Sequence, residues 1–148
     1  MIGRRLAALV LAALAAAGAA DARPARHMIN RVNVLEPLIA VGAEPFWDIS
    51  LTDGRVAWND PAEENQTGSV DAPVLTRGKA VWRGRIDGHG PFTLTVTRGP
   101  CSDGMSEFVY PLTVHVDGYD DWVLNGCAAT AAAFERRDRE GREDGEVR

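Results

Sequence analysis

The chain is poor in the groups that build common catalytic sites, in lysine, and in the clusters of cations that grip nucleic acid. It has a single lysine, Lys79, and a net charge of −5. Binding to phosphates needs clustered cations. Arg83 with Arg85, and the arginines of 136–139, are the dense basic spots, and the second is interleaved with acids. Both read as solvated surface, so nucleic acid is not expected as a partner. Only three histidines occur. His27 lies in an N-terminal arm, His89 in a DGHG turn, and His115 on the face of Thr113, which should point outward. GxSxG, GxGxxG, Walker and HExxH patterns are absent. A nucleophile needs a base within about 3 Å, and no histidine has a partner at usable spacing. Asp117, Asp120 and Asp121 lack the spacing of a calcium loop. The expectation is a protein that is not an enzyme, with no cofactor and no metal.

Long apolar stretches are scarce too. One uncharged run, Leu6 to Ala20, follows Arg4 and Arg5. It is shorter than the roughly 18–20 residues a spanning helix needs. Ala20-Asp21-Ala22 fits the small-x-small rule for leader cleavage. Residues 1–22 therefore read as a signal peptide, with Arg23 leading the mature chain. No cysteine sits at the cleavage region to take a lipid. The mature chain is expected to be periplasmic or secreted, not membrane-spanning, with any partner a protein of the cell envelope.

Cysteine is limited to Cys101 and Cys127. Export places them in an oxidising compartment, where an even pair forms a disulfide. Closing that loop stabilises by about 3–4 kcal/mol in the chain-entropy model. Free thiols or a metal site are the alternatives. The spacing is not that of a redox CxxC pair.

What is present is alternation. Phe92, Leu94 and Val96 face one way and Thr93, Thr95 and Thr97 the other. Leu112, Val114 and Val116 repeat this against Thr113 and His115. Trp47, Ile49 and Leu51 lead to an Asp53-Gly54 turn and return through Val56 and Trp58, a hairpin pattern. Trp82 and Ile86 oppose Arg83 and Arg85, and a late strand carries Trp122 and Leu124. Residues 29–35 and 38–42 supply one or two short strands. Residues 59–73, polar with two prolines, read as a loop. Residues 129–135 fit a helical turn or a last strand. From Glu135 to Arg148 apolar periodicity is absent, and a disordered charged tail is expected. The fold class is all-β: a small antiparallel barrel of about seven or eight strands over 23–134 with one disulfide. Trp47, Trp58, Trp82 and Trp122 are expected to fill the interior of so small a barrel, with a Trp-lined ligand cavity as the alternative.

Three segments stand out: GAEPFWDI (42–49), CSDGMSEFVYP (101–111) and LNGCA (124–128). Their order resembles an uncharacterised family of small exported bacterial proteins, some of them lipoproteins, with G-x-E-P-F-W, C-S-D-G-M-S-[DE]-x-x-Y-P and L-x-G-C motifs. Gly42, Glu44, Pro45, Phe46 and Trp47 carry the first motif. Cys101, Ser102, Asp103, Gly104, Met105, Ser106, Tyr110 and Pro111 carry the second, and Leu124, Gly126 and Cys127 the third. The resemblance implies a compact β fold and export, without an established activity. Its members that are lipoproteins carry an N-terminal lipid cysteine that this chain lacks.

Physically, Asp103-Gly104 suits a tight turn, with Ser102, Ser106 or Asp103 accepting from turn N–H groups. Met105 is expected to tuck over the barrel end. Ser102, Asp103, Gly104, Met105, Ser106 and Tyr110 form the candidate recognition loop. The segment is also similar to the Ser/Gly-rich loop and Tyr-bearing strand that small barrels use to inhibit C-type lysozymes. In that version Ser102, Asp103, Ser106 and Tyr110 enter the lysozyme cleft. Two function classes follow: a binding or inhibitory module, or a structural or envelope-stress factor whose loop only caps the barrel. Mass spectrometry of the secreted protein should find Arg23 first and no free thiol; a retained leader or two alkylatable cysteines would contradict this reading.

Overall fold

Strand pairing follows the alternation, because a period of two sends every second side chain to one face. The protein is described by a computed structural model over residues 25–119 and 121–146; the leader inferred for 1–22 lies outside the described residues. A short hairpin comes first, β1 (Met28–Ile29) and β2 (Val32–Asn33). Then follow β3 (Leu38–Ala43), β4 (Phe46–Thr52), β5 (Arg55–Asn59) and β6 (Gln66–Val70). The second half holds β7 (Val74–Thr76), β8 (Lys79–Ile86), β9 (Pro91–Cys101), β10 (Tyr110–Tyr119) and β11 (Trp122–Thr130), with helix α1 (Ala131–Glu146) after them. β3 to β6 pair in succession, as do β8 to β11. β6 bonds to β8, and β11 returns to β3. Eight strands thus close an antiparallel barrel, and β7 adds onto the β6 edge of β8.

The inward residues form one apolar cluster that fills the barrel. Ile49, Trp58, Ile86, Leu94, Leu112, Val114 and Val116 are sealed from solvent. Trp58 meets Phe92 edge to face at 5.6 Å and Trp47 at 6.4 Å between ring centroids. Such offset and edge-on pairs match the ring quadrupoles. Three of the four tryptophans are interior. Trp122 is the exception, 41 % exposed. It shares the phase of Leu124 and Ala128 but opens β11 opposite Tyr119, beyond the stretch those residues cover. Position along the strand, which alternation does not encode, overrides phase.

The hairpin β1–β2 closes onto the barrel. Asn30 and Arg31 both take positive φ, 50° and 67°, the geometry of a primed two-residue turn. Ile29 and Val34 join the interior cluster. The Asn30 amide donates to the Pro111 carbonyl at 2.8 Å, and Arg98 Nε donates to Asn30 Oδ1 at 3.2 Å.

Two sequence expectations are corrected. Residues 66–70, within the expected loop, are strand β6, which bonds β5 on one side and β8 on the other. Backbone pairing on both edges holds it despite little apolar alternation. The expected disorder from Glu135 is replaced by α1 up to Glu146. Thr130 caps it, its Oγ1 accepting from Ala133 N at 3.2 Å. Opposite charges four apart, such as Glu135 with Arg139 and Arg136 with Glu140, suit a helix that lies mostly in water.

The slot for Trp47 explains two motif glycines. Gly42 pairs with Trp47 across β3–β4, and the indole lies over it. A Cβ at Gly42 would collide with Trp47 Nε1, and one at Gly126 with the Val41 carbonyl and with Trp47 Cζ2 at 2.8 Å. Gly126→Ala should therefore destabilise by about 1–3 kcal/mol in urea unfolding, the usual cost of overpacking. Gly141→Ala, where an added Cβ meets nothing within 4 Å, should stabilise by up to about 1 kcal/mol, as expected in a helix interior.

Candidate functional site

The three motif segments meet on the outside of the barrel. Cys101 and Cys127 are bonded, with Cα atoms 5.5 Å apart. This ties the end of β9 to the middle of β11. Between Cys101 and β10, residues 102–109 fold over the outer face of β3 and β11. Their floor is a second apolar cluster of Tyr110, Cys127, Ala129 and Phe134, with Ile39, Val41 and Phe108 packed against it. A register shift between Tyr110 and Leu112 makes this possible. It leaves Leu112 in the interior cluster and sends Tyr110 to the outer one, as a bulge re-aims side chains.

Asp103 organises the loop. Its Oδ1 accepts from the amides of Met105 and Ser106, each at 2.9 Å. Its Oδ2 accepts from the Ser106 hydroxyl at 3.0 Å and from Tyr110 at 2.8 Å. Ser102 Oγ accepts from Gly104 N at 3.2 Å, and Gly104 takes φ 71°, a region costly for side chains. Partial desolvation disfavours the Asp103 carboxylate, but the two amides and then the Tyr110 and Ser106 hydroxyls outweigh it, holding the pKa down at about 2. Burial, and then the Asp103 charge it donates to, push the Tyr110 hydroxyl up.

The helix is fastened to the same group. Arg137 Nη1 donates to the Tyr110 oxygen at 3.3 Å, while Nε and Nη2 bond Asp138. Its guanidinium lies 4.8 Å from the Phe134 ring centroid, a cation–π distance. Phe108 meets Tyr110 edge-on at 4.7 Å. A chain of contacts thus runs from α1 through Tyr110 to Asp103.

Beside this lattice lies a cleft of about 240 Å³ lined by Phe46, Trp47, Asp48, Asp103, Met105, Tyr110, Phe134 and Arg137. A broader groove adjoins it over the disulfide, between Ala43, Glu44 and Phe46 on one side and Ser102 to Met105 on the other, with Asn125 and Gly126 in its floor. Phe46 and Met105 border both and are 58 % and 57 % exposed.

The candidate loop residues therefore divide. Ser102, Gly104, Met105 and Ser106 are exposed, and Asp103 is half-buried. Met105 does not tuck over the barrel end; it stands in solvent at the groove. Tyr110 is 1 % exposed, so it anchors the loop rather than presenting its ring. In the first motif, Gly42 and Trp47 serve the interior, whereas Glu44 and Phe46 reach the groove. Phe108, Phe134 and Arg137 escaped the sequence reading, which took the arginines of 136–139 for plain solvated surface. The available signal was the three-residue spacing of Phe134 and Arg137, which stacks them once 131–146 is helical.

A folded pKa below that of an unfolded aspartate, about 3.9, fixes the sign of the pH effect. The stabilisation by Asp103 is fully present above about pH 4 and is lost as pH falls towards 2. NMR should show the Met105 and Ser106 amide signals moving in that window. Asp103→Asn should abolish the transition; the same transition persisting in the variant would assign it to another group.

Comparison with protein-family models, with curated proteins and with solved structures finds no match to this chain.

Proposed function

We propose that this is an exported protein-binding module whose partner docks on the groove bordered by Phe46 and Met105. One observation carries the reading: two large apolar side chains stand in solvent on a surface whose backbone is fixed by a disulfide, by Asp103 and by α1. Large exposed apolar groups on a rigid rim suit recognition, since little ordering entropy is lost on docking. The filled interior supports a surface site over an internal ligand site. The disulfide suits an oxidising compartment, and among the described residues no helix is long and apolar enough to cross a membrane. If the partner is a C-type lysozyme, Ser102, Ser106 and Met105 make the contact, and Tyr110 acts by holding them.

One feature favours a second reading, a structural or envelope-stress factor. The polar groups of Asp103 are bonded within its own loop, as a capping turn requires. The two readings separate on stability. In the structural reading, loop variants lose function only as far as melting temperature falls. In the recognition reading, Met105→Ser and Phe46→Ser lose binding in a stable protein. Met105→p-benzoylphenylalanine, irradiated in the producing cell, should give a discrete adduct with an envelope protein. Val74→p-benzoylphenylalanine, at an exposed apolar position outside the groove, should give none. Equal adducts at both positions, or none at either, would overturn the docking site.

A further inference from the structure

We infer that the partner surface is cationic: an apolar side chain seated against Phe46 and Met105, flanked by arginine or lysine. This rests on the docking site proposed above and names the chemistry of its occupant. Phe46 borders a third cleft as well, on the opposite side from the disulfide loop, lined by Asp48, Asn59, Asp60, Glu64 and Asn65. The aromatic ring is therefore a ridge with acids on either hand. Glu44 and Asp103 lie towards the loop, and Asp48, Asp60 and Glu64 lie towards the β5–β6 connection. Among the residues lining the three clefts the cation is Arg137. Its guanidinium is committed to Asp138 and Tyr110.

The acids differ in what holds them. Asp48 accepts from Asn59 at 2.9 Å. Asp60 accepts from the amides of Ala62 and Glu63 and from Gln66. These bonds fix carboxylates in place without neutralising them. Glu44 and Glu64 have no ion pair among the described residues. An approaching carboxylate would meet mostly like charge here, since Arg137 is held by Asp138 and Tyr110, while a guanidinium or ammonium finds several acids around one apolar anchor. That pairing of an aromatic anchor with a charged rim sets partner choice and encounter rate. A bare metal ion is a poorer fit, since among the described residues no three His, Cys, Asp or Glu side chains are arranged to hold one.

The test titrates the oxidised, ¹⁵N-labelled chain with two synthetic peptides. One carries leucine and phenylalanine among arginines, and the other carries glutamate at every arginine position. The arginine peptide should shift amides in 43–48, 60–65 and 102–105, and its affinity should fall at least fivefold when salt rises to about 0.5 M, where screening is strong. Phe46→Ser should weaken it at least tenfold. Glu44→Gln with Glu64→Gln should weaken it at least threefold at an unchanged melting temperature. If the glutamate peptide shifts the same amides as strongly, the charge assignment is wrong and the docking site stands. Arginine-peptide shifts spread over other acidic surface, indifferent to Phe46→Ser, would also overturn it. The docking site itself is judged separately by the adduct at position 105.

Discussion

The seam where β11 returns to β3 holds both halves of this molecule together. Cys127 faces Val41 across it, Ala128 faces Ala40, and Thr130 faces Leu38. On its inner side Trp47 lies across Gly42 and Gly126, and the missing Cβ atoms are what let the indole in. On its outer side the disulfide, Tyr110 and Phe134 cover Val41 and Ala129. Closing the ring removes the open edges that would invite aggregation. It also builds the platform on which residues 102–109 rest. Barrel closure and the surface site are consequences of one strand pairing.

That dual role explains why three separated motifs look alike in density but differ in purpose. Gly42, Trp47, Gly126 and Cys127 are buried or packed and serve closure. Asp103, Ser106 and Tyr110 bond to one another and shape the loop. Glu44, Phe46 and Met105 are left facing solvent with no structural task evident in their contacts. Side chains that the fold does not use, on a backbone the fold holds firmly, are the natural candidates for recognition. The acids around Phe46 then bear on which partners are refused as well as which are accepted.

Much of the barrel was legible in the sequence because its signal is local. The alternation of Phe92, Leu94 and Val96, the Asp53-Gly54 turn and the inward set of β10 need no knowledge of distant chain. The disulfide followed from the expectation of an oxidising compartment and from an even pair of cysteines. What escaped depends on long-range placement. Strand β6 has little alternation and exists because both neighbours bond its backbone. Trp122 has the inward phase but sits at the rim. Tyr110 changes sides because a register shift intervenes before Leu112, and a one-residue slip reverses every facing. Helix α1 has no apolar stripe, and its first turns are held by Phe134 and Arg137 against residues some 25 positions earlier. The loop was identifiable as a site from its motif, whereas its fastening by the helix was not.

Native-state hydrogen exchange of the oxidised chain addresses the seam most directly. The hydrogen-bonded amides of Leu38–Val41 and Cys127–Thr130 should be among the slowest in the protein, exchanging only with global unfolding. The Met105 and Ser106 amides should open at lower free energy. Fast exchange across the seam while β8, β9 and β10 stay protected would contradict the account, because the barrel would then hold without the pairing on which the site is built.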